Sequence, residues 1–513
     1  MATATRVDQG ITLPHKQLMV IFSGLMLGMT LAALDQTIVA TALPTITSDL
    51  GGLDHLSWVV TAYLLAATVS TPVYGKLGDL YGRKHLFQFT IVVFLAGSIA
   101  CGLAQSMVQL IAFRAVQGLG GGGLMVLAQA IIADVVSPRD RGRYQGYFGA
   151  VFGAASVFGP LLGGFLTDSL SWRWVFYVNV PFGIAALVVT SAVLPEAHRR
   201  PGRASIDYAG AAVLTAAATC VILFTTFGGQ QFAWGSPTIV GLIIASVLLF
   251  GALVIVERRA TEPMLPASLF RSATFNISVA VSFILGIALY GAISFLPMFL
   301  QVVGGSSATD SGLLILPLMA GLLTASVTSG RLITRTGRYK VFPVTGTAIV
   351  SVSLVLLGLM DERTPRGAAM GFMVLLGIGI GLTLSTLVLA IQNSVEREHI
   401  GTGTSSANFF RSLGGSIGVA AFGAVFTARL TSRLSELSLD VTSSASAFDV
   451  ASLDRLSSSD RRLFDHAFAE SLTPVFLMAL PLALIAWALT TRLREIPLRT
   501  HDHPLEGAAA VLH

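Results

Sequence analysis

The chain has 513 residues, of which 53% are hydrophobic and only 12% charged, with a formal net charge of +5 and a mean hydropathy of +0.76. A soluble domain carries about twice that share of charge, so a water-soluble globule is excluded. Apolar runs of roughly 20 residues, enough to cross a ~30 Å hydrocarbon core, recur from end to end, and their lack of polar alternation means helices rather than a barrel.

Fourteen spans are expected, at 18–43, 57–75, 86–104, 107–135, 145–167, 174–194, 207–228, 236–256, 274–302, 310–333, 341–360, 367–394, 402–429 and 472–492. The first is too long for a cleavable signal segment, so it is expected to stay as a signal anchor. Its otherwise apolar run contains Asp35 and leads into Pro44. An even number of spans puts both termini on one side, and the bias of basic residues decides which. With a cytoplasmic N-terminus, 22 of the 32 lysines and arginines fall in inner segments, among them Arg6, Lys16, Arg139, Arg199, Arg200, Arg203, Arg397 and Arg499. The one long outer segment, 430–471, becomes amphipathic from Ser459 to Ala469, with Leu463, Phe464 and Phe468 on one face. It reads either as a solvated connector or as an outer gate or docking surface for an envelope partner.

The sequence also repeats itself. Gly75-Lys-Leu-Gly-Asp79-Leu-Tyr-Gly82-Arg83-Lys84 after the second span has a degenerate echo in Gly330-Arg-Leu-Ile-Thr-Arg-Thr-Gly337-Arg after the tenth. The simplest division is a six-helix half over 1–205, an inserted helix pair over 206–260 and a second six-helix half over 261–513. Repeat-built transporters hold their substrate near the midplane between halves.

Three charges lie deep in the spans: Asp35, Arg114 and Arg411. A charge at the bilayer centre costs about 2.5–3.5 kcal/mol even on insertion scales, which makes each a candidate functional residue. Asp35, about 17 residues into its helix, sits ~25 Å from the inner end at the helical rise. Arg114, about seven residues in from the outer side of helix 4, reaches a similar depth. Burial disfavours the charged form of a carboxylate and a nearby arginine favours it, so such a pair suits reversible proton exchange, or else forms a static ion pair fixing helices 1 and 4. Arg411, near the midplane of helix 13, either neutralises the cavity or touches substrate, or clamps backbone carbonyls. Both cysteines, Cys101 and Cys220, fall inside spans, which excludes a disulfide framework. No Walker sequence, HExxH or intramembrane histidine is present, so ATP is not the energy source and no catalytic cluster stands at membrane depth. The glycines from Gly118 to Gly123 lack a phosphate-loop lysine and read as close helix packing.

The loop from Gly75 to Lys84 closely resembles the hallmark loop of the major facilitator superfamily. Leu34-Asp35-Gln36-Thr-Ile-Val-Ala-Thr-Ala-Leu-Pro44 resembles the first-helix motif of its fourteen-helix drug:proton antiporters, Arg114-Ala-Val-Gln117-Gly118 the fourth-helix arginine motif, and Gly159-Pro160-Leu-Leu-Gly163-Gly164 the fifth-helix antiporter motif. Trp172-Arg-Trp-Val-Phe-Tyr-Val-Asn179-Val-Pro-Phe-Gly183 and Arg411-Ser-Leu-Gly-Gly415 are typical of the same branch. Ala155 stands where the family usually has glycine, and the core of helix 10 lacks the acid that some dication exporters carry there.

The resemblance implies an all-α polytopic membrane protein with the major facilitator fold. It implies proton coupling through Asp35 and Arg114 and gating through Gly75, Asp79, Gly82, Arg83, Lys84 and Asp134, with Asp134 pairing near Arg83 to lock the outward-facing state. The antiporter motif would be Gly159, Pro160, Gly163 and Gly164, and the cavity candidates Gln36, Gln117, Asn408 and Arg411. The function implied is a proton-coupled exporter of amphipathic, cationic organic compounds at the cytoplasmic membrane. The chain would be a monomer with both termini cytoplasmic, driven by the proton gradient, with no cofactor, metal or nucleic-acid partner. A narrow exporter of one endogenous metabolite, such as an antibiotic or siderophore, is the rival reading. With Asp35 as the cavity's sole acid, monocations should leave faster than rigid dications, unless Asp168 or Asp310 also enters the cavity.

Overall fold

The computed structural model describes residues 14–51, 55–194, 206–303, 315–436 and 457–498. Arg6, Arg199, Arg200, Arg203, Asp310, Arg499 and the centre of the 430–471 loop lie outside these residues. Among them fourteen helices are long and apolar enough to span a bilayer. They are α1 His15–Leu50, α2 Leu56–Tyr81, α3 Arg83–Gly102, α4 Met107–Val135, α5 Pro138–Ser169, α6 Trp174–Val193 and α7 Tyr208–Phe227. The chain continues through α8 Pro237–Arg259, α9 Ala273–Val302, α10 Leu316–Thr336, α11 Val341–Gly358, α12 Arg366–Ser394, α13 Ile400–Glu436 and α14 Ser458–Thr491. With an even number of crossings, both described ends share one face, called here the near face.

Helix starts follow local chemistry. Ser106, Ser137, Asp207, Ser236, Ser272 and Ser457 each accept a backbone N–H with their side chains, satisfying donors that a helix N-terminus leaves unpaired. The expected amphipathic stretch from Ser459 is the first part of α14 and runs straight into the last span. Phe464 and Phe468 are fully buried there, whereas Leu463 is exposed. The described part of that stretch is therefore a packed helix rather than a solvated connector, and Leu463 does not share the buried face.

Buried apolar side chains gather in separate clusters. One draws on α9 to α14, and two draw on α1 to α6. A fourth joins Leu214, Val221 and Leu253 of α7 and α8 to Val69 of α2 and Leu413 of α13, so the inserted pair packs against both groups.

The two groups of helices meet toward the near face, where small residues let backbones approach. A Cβ at Gly146 of α5 would lie 2.7 Å from Ser326 O of α10, and one at Gly330 would strike Gly142 O. On the other side, a Cβ at Gly75 of α2 would strike Ser405 of α13. The internal echo is thus structural: Gly75 and Gly330 serve the two contacts, and Gly82 and Gly337 both end their helices at positive φ, +95° and +72°, where glycine alone is unstrained. Toward the far face the groups diverge around a cavity of about 460 Å³ that reaches Gln230 in the α7–α8 turn.

Candidate functional site

Asp35 is fully buried. Its Oδ2 accepts from Arg114 at 2.5 Å, and its Oδ1 accepts from Gln117 Nε2 at 2.7 Å and Asn179 Nδ2 at 3.2 Å. Arg114, 1% exposed, also donates to Gln117 Oε1 at 2.8 Å and to Val59 O at 3.2 Å, and its guanidinium lies 4.2 Å from the centre of the Tyr63 ring. Ser98 Oγ accepts from both Gln117 and Asn179 and donates to Phe176 O. An ionised Asp35 is therefore matched by one guanidinium and by amide donors from α4 and α6, the only kind of environment in which a buried ion pair is tolerable.

Glycines make this geometry attainable. A Cβ at Gly97 would sit 2.5 Å from Gln117 N, and one at Gly118 would strike Tyr63 O. α3, α4 and α2 can close on one another only because these side chains are absent.

The cavity is built from other faces of the same helices. Adjacent residues on a helix point about 100° apart, so while Asp35 faces α4 and α6, Gln36 lines the cavity. Asn408 and Arg411 line it as well, one turn apart on α13. Gln117 does not. It was expected in the cavity, but it lies three residues after Arg114, on the face that meets Asp35, and it is fully buried. Asp35 itself is not a lining residue either. The cavity wall holds one formal charge among the described residues, the positive charge of Arg411, so the direct grip of Asp35 on a cation is absent in this conformation. Asp168 is exposed in the last turn of α5, away from the cavity.

The floor is polar and joins the two groups of helices. Asn408 Nδ2 donates to Gln129 Oε1 at 2.9 Å, Gln145 Nε2 to Gln392 Oε1 at 3.3 Å, and Gln392 Nε2 to Thr404 Oγ1 at 3.1 Å. Below it, Asp79 accepts from Gly401 N at 2.9 Å, Thr402 N at 2.7 Å and Thr402 Oγ1 at 2.9 Å. These donors are the start of α13, where the helix dipole favours an anion. Arg83 braces Asp79 at 2.7 Å and pairs with Asp134 at 2.5 Å, so the pairing expected of Asp134 is present. Lys84 donates to Leu194 O, and Arg139 donates to Thr334 O and Arg335 O across the α5–α10 contact.

In α5, Cβ atoms at Gly159 and Gly163 would strike Thr37 and Thr41 of α1, and Pro160 lies between them inside the helix. Gly164 meets nothing within 4 Å, so packing does not require a glycine there.

Asn179, Ser98, Tyr63, Gln129, Gln145 and Gln392 were not singled out by the sequence. Asn179 stood inside a quoted motif. The floor glutamines become visible only once the helices are placed face to face.

Comparisons with known proteins agree with this architecture. The family model described as Major Facilitator Superfamily matches residues 25–419. An uncharacterized MFS-type transporter of Mycobacterium tuberculosis is 47% identical over 485 residues, covering 94% of this chain and 70% of the relative. The multidrug transporter protein MdtP of Bacillus subtilis is 40% identical over 409 residues, covering 80% and 75%. The solved structure of the proton:xylose symporter XylE superposes with a TM-score of 0.61 at 14% identity, over 94% of this chain and 96% of that one, and shows the shared fold. The chain is a multi-pass membrane transporter and belongs to the major facilitator superfamily.

Proposed function

We propose that the protein is a proton-driven exporter of amphipathic organic compounds, with proton entry coupled through Asp35 and Arg114. The observation that carries this reading is Asp35 itself, a carboxylate at membrane depth with no exposed surface, held only by side chains that can rearrange. The resemblance to multidrug transporters supports export rather than uptake. The bias of basic residues supports a cytoplasmic near face and placement in the cytoplasmic membrane. The cavity would then open to the outside in this conformation, the state in which an antiporter releases substrate and takes up a proton. In this reading the proton gradient is the energy source, without a cofactor, and the monomer is the working unit.

The test is Asp35→Asn in proteoliposomes. The amide keeps the shape and cannot titrate, so the variant should insert and fold but lose gradient-driven efflux. Substrate-induced proton release retained in the variant would overturn the assignment.

A further inference from the structure

The proposed transport function leaves the substrate's charge open, and the cavity speaks to it. Arg411 is the one charged side chain on its wall among the described residues. Arg411 has no ion-pair partner there: its single side-chain hydrogen bond runs to Met125 Sδ at 3.8 Å, and Tyr290 is the titratable group facing it. The acids that could have matched it are engaged elsewhere, Asp35 with Arg114 and Asp79 with Arg83 and the start of α13.

Arg411 is also held in place to reach inward. Side chains at Gly286 or Gly414 would strike Arg411 O or Phe283 O, so the absence of both lets α9 and α13 meet backbone to backbone at Arg411. A cation without a counter-charge on a cavity wall at membrane depth marks a site for something that arrives. One turn earlier on the same face, Asn408 is 4% exposed and its Oδ1 has no hydrogen-bond partner. That oxygen is itself buried, so a donor in the cavity reaches it once the Asn408 side chain turns toward the cavity it lines. The rest of the wall is apolar or neutral, with Met29, Leu64, Phe148, Phe152, Ile222 and Leu289 offering surface to a hydrophobic body.

We infer that the cavity binds amphipathic organic anions: a ring system bearing one ionised acid group that Arg411 pairs with, and a hydroxyl or N–H about one helical turn away that Asn408 Oδ1 accepts. This rests on the transport function proposed above and names its substrate class. It replaces the cationic preference expected from the sequence, because that preference needed Asp35 in the wall.

The test uses one ring system with three charges: naphthalene-2-carboxylate, naphthalene-2-carboxamide and 2-naphthylmethylammonium. Binding to the purified full-length protein in nanodiscs is measured by calorimetry at pH 7.5. The carboxylate should bind at least tenfold more tightly than the ammonium compound. Arg411→Gln should remove at least tenfold of carboxylate affinity and leave the carboxamide within twofold, while Arg411→Lys should keep part of the preference. Equal or tighter binding of the cation, no measurable carboxylate binding, or an equal loss for all three probes in Arg411→Gln would each overturn the inference. The wild-type ranking decides the matter even if a variant does not fold. Selective carboxylate binding without gradient-driven efflux would instead leave this inference standing and refute the transport mechanism.

Discussion

Replacing Asp79 by alanine should loosen the near face. Three hydrogen bonds cross the interface from the start of α13 to this one carboxylate, and a hydrogen bond to a charged group contributes about 1.5–3 kcal/mol net. The contributions do not add in full, because the donors regain water once the faces part. A net loss of about 2–4 kcal/mol for the closed near face is reasonable, which moves the equilibrium between conformations by roughly 30- to 700-fold. Arg83 keeps its pair with Asp134, so the loop itself stays folded. Thr402 is six residues, about 9 Å of helix, from Asn408 at the cavity floor, so the substrate's contacts are untouched. Spin labels at Arg139→Cys and Arg335→Cys, with Cys101 and Cys220 replaced by serine, would read the opening as a longer distance. Turnover should fall well beyond any loss of substrate affinity. An unchanged distance distribution, or binding and turnover reduced equally, would refute the clasp.

Arg114→Met leaves Asp35 buried without a counter-charge and should lower stability by about 3–5 kcal/mol at neutral pH. Thermal unfolding in detergent would detect the loss, and an unchanged midpoint would show that the pair contributes little. Gly146→Val places a branched side chain where Ser326 O and Val327 Cα stand 2.7 and 2.9 Å from the Cβ position. Overpacking of this kind costs about 1–3 kcal/mol, so the variant should populate the open near face. Labelling of a cysteine at Ser405, buried beneath the clasp, should become faster, and an unchanged rate would show that α5 and α10 need not meet at this glycine.

Much of this structure is legible in the sequence because hydrocarbon thickness dictates helix length. The span 107–135 coincides with α4, and most others fall within a few residues of their helices. Counting residues along two helices brought Asp35 and Arg114 to the same depth, and they are in contact. Depth alone does not give direction around the helix, and there the reading failed: Gln117, three residues from Arg114, shares its face, a signal that was available and would have moved it out of the cavity. α14 starts well before its expected span because residues before 472 are polar enough to look like loop, while Phe464 and Phe468 pack into the core. The floor of Gln129, Gln145 and Gln392 depends on the register between two groups of helices, which no local pattern encodes.

The separation of Asp35 from the cavity constrains how proton and substrate can be coupled. If both bound the same carboxylate, each would displace the other directly. Here α1 presents Asp35 on one side and Gln36 on another, and α4 presents Arg114 to Asp35 and Gln129 to the floor. A change in the charge of Asp35 would reach the cavity through the positions of α1 and α4 as whole helices. α1 is tied to α5 by Thr37 Oγ1 donating to Ala155 O, and α5 carries the glycines that meet α10 at the near face. A loosened Asp35–Arg114 pair would thus act on the same contacts that Asp79 fastens. Coupling of this kind is a free energy shared between two sites through a two-state element. It does not depend on the charge of the substrate, so under the proposed mechanism an anion held by Arg411 would be exchanged for a proton taken up at Asp35.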